Sequence, residues 1–341
     1  MPLFKKALAG RVMQTDIALR GVAIVLVVLN HASITDSRPI HLGGGLNILL
    51  LLSGYSFARF ILVRETMAQV RRGIASFAFN LWLPCLAVVL ASFALKREWS
   101  WGEVLFVSNF YTADHIALMY VWFPQVILQM LAIFWLLSFV PGARQGLARH
   151  PLPLALGGLA ISFALLLVLR GDDRGADFAN RTIEAVGWNF VLGCVAWYIT
   201  HGPSRQGMAA RLALLGCTAV LGLVAFGWGA DWLRAVLLPL ALALLLFVPR
   251  LRLPAIVAQI VQVLSQATFT VFLAHVLFLR IFDAAGLRGA SSGFNLADTL
   301  FAAAFALTGS VAVWVLASAL RRAWQATHAD ALRRQMQRGI A

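Results

Sequence analysis

Two ionisable residues stand in the first long apolar stretch of the chain, Arg20 and His31 in RGVAIVLVVLNH. An ionisable side chain within a membrane span is costly, about 2.5–3.5 kcal/mol on insertion scales for arginine, and is a functional suspect by default. At about 100° per residue, the eleven steps between them end roughly 20° past three full turns, so both project from one helix face. With a rise of about 1.5 Å per residue they stand roughly 16 Å apart along the axis. A guanidinium grips phosphates and carboxylates through paired hydrogen bonds. An imidazole titrates near neutrality and can take up and return a proton. The spacing therefore sets an anion grip near one membrane surface and proton exchange deeper in, or toward the other side. An arginine snorkelling to lipid phosphate, with a histidine at a helix end, would show the same spacing.

Other polar residues interrupt apolar runs. Ser53 and Tyr55 flank Gly54 in GGGLNILLLLSGYSF. They can line a site, or serve as a small-residue contact that lets helices approach. Trp122 and Gln129 are two turns apart on one face. The tryptophan suits either a sugar-stacking platform or an interfacial belt. His275 and Thr268 make a similar stripe late in the chain, with a buried, hydrogen-bonded structural histidine as the plainer reading. Cys85, Cys194 and Cys217 sit in apolar runs without CxxC or HExxH spacing and look like buried hydrophobes. No metal is expected.

The elements that carry these residues follow from composition. The 341 residues are 61% hydrophobic and 12% charged, with mean hydropathy +0.82. Soluble domains run at about 25% charged, so a water-soluble fold is excluded. Disorder is excluded as well, because it requires low hydropathy. A span needs roughly 20 apolar residues, and about ten such runs occur, at 17–33, 43–63, 76–95, 119–140, 152–170, 183–200, 209–229, 232–249, 259–283 and 296–320. Breakers such as Pro141-Gly142 and Gly202-Pro203 separate them. The expectation is an all-α, polytopic integral membrane protein of about ten transmembrane helices. Residues 1–320 form one membrane domain and 321–341 a basic cytoplasmic tail, lying along the membrane or projecting as a solvated helix.

The net charge is +14. With both termini placed inside, every inner loop is basic, from Arg64, Arg71 and Arg72 to Arg250 and Arg252, while the outer loop at Asp172, Asp173 and Asp177 is acidic. That is the positive-inside pattern. It accounts for the charge without nucleic acid and places both termini in the cytoplasm. The opening span reads as a retained helix rather than a cleaved signal.

The order of these segments resembles membrane acyltransferase family 3, which O-acylates polysaccharides and other exported or lipid-linked acceptors. The resemblance rests on Arg20 and His31 in the first span, and on Ser53, Gly54 and Tyr55 in the second. It continues through Asn109, Phe110, Trp122, Phe123 and Gln129, through Gly193, and through Ser265, Phe269, Phe272 and His275. It covers about residues 16–320. The chain departs from the family pattern at Phe272, where a tyrosine is usual, at Asn80 before Leu81-Trp82-Leu83-Pro84, and at Pro124-Gln125, where some members carry a glutamate. No carboxylate partner for His31 can therefore be assigned.

The resemblance implies a multi-pass inner-membrane enzyme. It would move an acyl group, with acetyl as first expectation, from cytosolic acyl-CoA to a hydroxyl of a glycan, lipid-linked sugar or other acceptor. His31 would be the general base or a transient acyl carrier. Arg20, Arg71 and Arg72 would hold the donor phosphates, and Ser53 and Tyr55 would line the thioester. Trp122, Gln129 and His275 would face the acceptor. Its partners would be acyl-CoA, the acceptor and membrane lipid. The rival class is a secondary transporter or flippase, which also buries ionisable groups near midplane. Against it, the interruptions here fall in loops.

Overall fold

The computed structural model describes residues 10–34, 43–96, 99–110, 118–169, 181–202, 206–226, 232–288 and 295–338. Asp172, Asp173 and Asp177 lie outside the described residues. Each of the ten apolar runs forms a helix. In chain order these are α1 (Thr15–Ile34), α2 (Gly45–Phe57), α3 (Met67–Lys96), α5 (Leu118–Leu137), α7 (Pro151–Leu169), α8 (Ile183–His201), α9 (Met208–Phe226), α10 (Trp232–Phe247), α11 (Ala255–Ala284) and α12 (Leu296–Arg338). Eight are long and apolar enough to cross a membrane, and α5 and α10 supply two shorter apolar helices. The short helices α4 (Trp101–Val104) and α6 (Ala143–Arg149) lie in connections.

Helices are obligatory here, because the hydrocarbon core offers no partner to an unpaired backbone group. That constraint also tolerates Pro84, Pro124 and Pro239 inside α3, α5 and α10. In a membrane, association is driven by close packing rather than by expulsion of apolar surface from water. Small residues accordingly mark the tightest crossings. A Cβ on Gly54 would overlap the Phe190 carbonyl, and one on Gly193 would overlap the Leu51 carbonyl, so α2 and α8 meet backbone to backbone. A Cβ on Gly21 would come within 2.8 Å of the Val261 carbonyl oxygen, which draws α11 onto α1. The pair α2 and α8 is the centre of the bundle. Of the apolar windows, 83% of α8 is buried against 17% of α7, which lies at the periphery.

The bundle has two polar faces. On one, the strand β1 (Arg11–Gln14) pairs antiparallel with β2 (Arg250–Leu253), with Arg11 opposite Leu253, and the Thr15 hydroxyl donates to the Val248 carbonyl. This sheet was not foreseen from sequence. Its strands are four residues each, too short for periodicity to reveal. Arg59, Arg64, Arg71, Arg144 and Arg211 gather at the same face, called the basic face below. At the end of α2, residues Ala58–Leu62 form a π-turn, a local widening that re-aims side chains. The tail from Arg321 continues α12 without a break to Arg338. At about 1.5 Å per residue the whole helix is far longer than the membrane core, so this segment prolongs the span's axis rather than turning onto the surface.

Candidate active site

Two polar centres occupy the two ends of α1. The first joins α1 to α11. Nε2 of His275 lies 3.1 Å from Nδ1 of His31, with ring centroids 4.9 Å apart and planes tilted by 51°. His275 is 1% exposed. Its Nδ1 lies 2.9 Å from the Val271 carbonyl oxygen and 2.8 Å from that of Phe272. Nδ1 of His31 lies 3.0 Å from the Val27 carbonyl oxygen.

These distances fix the protons by donor and acceptor counting. Carbonyl oxygens only accept, so Nδ1 of His275 carries its hydrogen. With both rings neutral, Nε2 of His275 is then a bare lone pair. Nδ1 of His31 faces two acceptors, the Val27 carbonyl and that lone pair, and so carries a hydrogen shared between them. What is left is Nε2 of His31, an unprotonated nitrogen. The backbone thus sets His275, His275 sets His31, and the pair presents one base.

Aromatic and aliphatic side chains enclose the pair. The rings of Phe272 and Phe123 lie 5.0 Å apart, and Val276 packs with Val121 and Phe106. A separate polar network ties α5 to the segment before it and to Arg181. Gln129 donates to the Phe106 carbonyl at 2.9 Å and to the Asn109 amide oxygen at 2.7 Å. Asn109 donates to the Arg181 carbonyl at 3.2 Å, and Gln125 to the Ser108 hydroxyl at 2.9 Å. Phe106 is held at φ 57, a left-handed conformation that persists for a bulky residue only when its surroundings enforce it. Arg288 pairs with Asp283 at 2.6 Å and donates to the Ala32 carbonyl at 3.3 Å, at the end of α1. The Arg288 guanidinium therefore attends the His31 end of α1.

The second centre lies on the basic face. Arg20 donates to the Ser56 hydroxyl at 3.0 Å. Arg59, turned by the π-turn, meets Asp16 at 3.3 Å and sits 5.8 Å from the Trp197 ring centroid. Trp197 stacks on His201 at 4.2 Å with planes 7° apart. Nδ1 of His201 lies 2.7 Å from the Thr200 hydroxyl and 3.5 Å from the Tyr55 hydroxyl.

The residues singled out from sequence are thus distributed rather than gathered. His31 and His275 meet. Arg20 shares the face of His31 by angle but reaches α2, whereas His31 reaches α11. Tyr55 belongs to the Arg20 end. The Ser53 hydroxyl donates to Leu49 of its own helix at 2.7 Å. Arg71 donates to the Ser138 carbonyl at 3.3 Å and stands 4.8 Å over Phe139, while Arg72 donates to Ala68 of its own helix at 3.4 Å and is exposed. Gln129 belongs to the network with Asn109 and the Phe106 carbonyl. Trp122 is 8% exposed and packed in the main core, away from the lipid-facing surface.

Arg181, whose carbonyl joins the Asn109 network, Arg288, and the stacking of Trp197 on His201 were not singled out from the sequence. A helical repeat of i, i+4 links Trp197 to His201 and was the available signal. Nothing local marks Arg181. Among the described residues, no group of three or more His, Cys, Asp or Glu side chains converges as a metal site requires.

No match was found among curated proteins or among solved structures. The family model of the acyltransferase domain matches residues 17–319, from the start of α1 well into α12, with both histidines and Arg20 inside the matched range. By that match over nearly its whole length, the chain belongs to membrane acyltransferase family 3.

Proposed function

We propose that this protein is an O-acyltransferase of the bacterial-type inner membrane, moving an acyl group from acyl-CoA to an acceptor hydroxyl, with Nε2 of His31 as the general base. The observation that carries the reading is the imidazole pair and its proton count. The acceptor O–H gives its proton to Nε2 of His31, and the oxygen attacks the thioester carbonyl carbon. When the tetrahedral intermediate collapses, the C–S bond breaks. The leaving thiolate takes the proton back from Nε2, releasing ester and free CoA. While His31 is an imidazolium, its Nδ1–H donates to Nε2 of His275. The second histidine thereby does the orienting that a carboxylate does in a Ser-His-Asp triad. A positioned base contributes about 10²–10⁴-fold.

Arg20 supports the donor end of the reading. The positive-inside rule makes the basic face cytosolic, which is where acyl-CoA is made. Arg20 stands at that face, about 16 Å along α1 from His31, a separation comparable with a pantetheine arm. In this reading Arg20 holds donor phosphate and the arm carries the thioester toward the imidazoles. Arg71 and Arg72 lie at the same face and add positive potential there.

The test is thiol release from acetyl-CoA by the purified protein in nanodiscs, with simple glycosides as acceptors. His31→Ala should abolish acceptor-dependent CoA release while the protein still inserts and purifies as a single species. Full activity in that variant removes His31 as the base. Movement of an unmodified solute with no CoA release would assign the protein to the transporters.

A further inference from the structure

His31 stands in the last turn of α1, which ends at Ile34. The final carbonyls of a helix have no partner within it. Those of α1 include Ala32, a fully buried residue. Inside a membrane protein such a carbonyl must find its donor in a neighbouring element. Here the donor comes from the chain just beyond α11, the helix that carries His275. Nη1 of Arg288 donates to the Ala32 carbonyl at 3.3 Å. Nε of the same guanidinium donates to Oδ1 of Asp283 at 2.6 Å. A cation at a helix C-terminus also complements the negative end of the helix dipole.

Arg288 reaches that position through a defined turn. Gly286 has φ 64. Its N–H donates to the Asp283 carbonyl at 3.0 Å, and the Leu287 N–H donates to the Phe282 carbonyl at 3.3 Å. Nested bonds of this kind around a left-handed residue make a Schellman close. A Cβ on Gly286 would meet nothing within 4 Å. The backbone conformation, not packing, therefore asks for glycine here. The turn reverses the chain at the end of α11 and sets Arg288 over Asp283, five residues earlier. The Asp283 side chain is 35% exposed, and an ion pair that open to solvent adds little stability by itself. Its effect is to aim the guanidinium, whose rigid fork leaves Nη1 on the end of α1.

Two polar links thus join the ends of α1 and α11: the imidazole contact at 3.1 Å and, one residue further along α1, the Arg288 bond. Helix ends fray first, and a hydrogen bond weakens steeply as it bends. We infer that Asp283, Gly286 and Arg288 form a clasp that fixes the last turn of α1 on α11 and so keeps Nδ1 of His31 against Nε2 of His275. All three are positioning residues. The inference deepens the acyltransferase reading above and, for its effect on rate, rests on it.

Kinetics on the full-length protein in nanodiscs, with acetyl-CoA and a methyl glycoside, give the first test. Arg288→Ala should lower kcat by roughly tenfold, the low end for a hydrogen bond to a charged group. KM for acetyl-CoA should stay within about twofold. Arg288→Lys keeps the charge without the fork and should restore part of the rate. Gly286→Val should reproduce the Arg288→Ala loss although the glycine touches nothing. The deciding comparison is a double variant. With His275→Phe the imidazole contact is already gone, so adding Arg288→Ala should cost less than about threefold more. Equal losses in both backgrounds would make Arg288 independent of the imidazole pair and overturn the clasp, as would an unaltered kcat in Arg288→Ala. Asp283→Asn removes the aiming charge and keeps the shape. It should give a smaller loss in the same direction, and it supplies the same cycle if Arg288→Ala does not insert.

The second measurement needs no turnover. With isotope-labelled imidazole nitrogens, protonated and bare ring nitrogens are resolved by magnetic resonance, and the His31 signals are those lost in His31→Ala. The wild type at mildly alkaline pH should show His31 with its hydrogen on Nδ1 alone. Arg288→Ala and Gly286→Val should add a population with the hydrogen on Nε2. A single unchanged tautomer in both variants overturns the clasp. A tautomer change in a protein that transfers no acetyl group keeps the clasp and sinks the acyltransferase reading.

Discussion

At its His31 end, α1 presents one imidazole whose orientation is set by His275, which is itself held by the carbonyls of Val271 and Phe272. At its Arg20 end, the same helix meets a crowd. Arg20, Arg59 and Asp16 lie together with Tyr55, Ser56 and His201, and the sheet β1–β2 closes the face beside them. Among the described residues, the first end offers one bare imidazole nitrogen, that of His31, backed by His275. The second holds charge in several places, and its electrostatic field survives the loss of any one of them. Proton transfer is a local act, whereas binding a polyanion is a summed one. The two ends of one helix are built accordingly.

The comparison yields graded expectations. The largest effect belongs to His31→Ala, which should reduce acceptor-dependent CoA release by about 10²–10⁴-fold. Wild-type activity should also fall at acidic pH, because an imidazolium has no lone pair to receive the hydroxyl proton. A variant that keeps its rate would show that the His31 end is as replaceable as the other.

Next comes His275, a positioning residue. His275→Phe leaves the His31 Nδ1–H without its imidazole partner and should lower kcat by roughly ten- to a hundredfold, the worth of about 1.5–3 kcal/mol for a hydrogen bond to a charged group. His275→Gln offers an amide oxygen in place of Nε2 and should restore part of the rate. Identical pH–rate profiles for wild type, Phe and Gln variants would reduce His275 to packing.

Arg20→Ala should act mainly on donor binding. We expect KM for acetyl-CoA to rise by about tenfold, near 1.4 kcal/mol, with kcat changed less, because neighbouring guanidinium groups keep the face positive. A collapse of kcat at unchanged KM would place Arg20 in the chemical step and dissolve the contrast between the two ends. The smallest effect is Ser53→Ala. Its hydroxyl is engaged by Leu49 of its own helix, so turnover should stay within about twofold, as for changes within ±0.5 kcal/mol. A tenfold loss would show that the hydroxyl leaves its helix carbonyl to meet the thioester.

Legibility from the sequence divided along similar lines. The ten helices were readable because a bilayer permits spanning backbone only as helix or closed barrel, and apolar runs of fixed length announce themselves. Gly54 was readable as a packing residue, since close helix approach needs a small side chain whatever the neighbour, and the structure sets it against Phe190. Pro124-Gln125, standing where some members carry a glutamate, left the partner of His31 open, because a carboxylate is the usual partner of a catalytic imidazole. The partner is an imidazole more than two hundred positions away, and no local pattern encodes such a meeting.

The chain by itself determined its solvent, its helices and which of their residues are too costly in lipid to be idle. The reason is that hydropathy, helical rise and the cost of burying charge depend on residue type and short spacing alone. Tertiary structure decided the rest. It turned Arg20 to α2 and His31 to α11 although one helix face carries both, because rotation of α1 between two neighbours is set by where glycines let those neighbours close in. It also brought Arg288 from the end of α11 to the Ala32 carbonyl, a meeting that no single helix could reveal, since it joins two segments far apart in the chain.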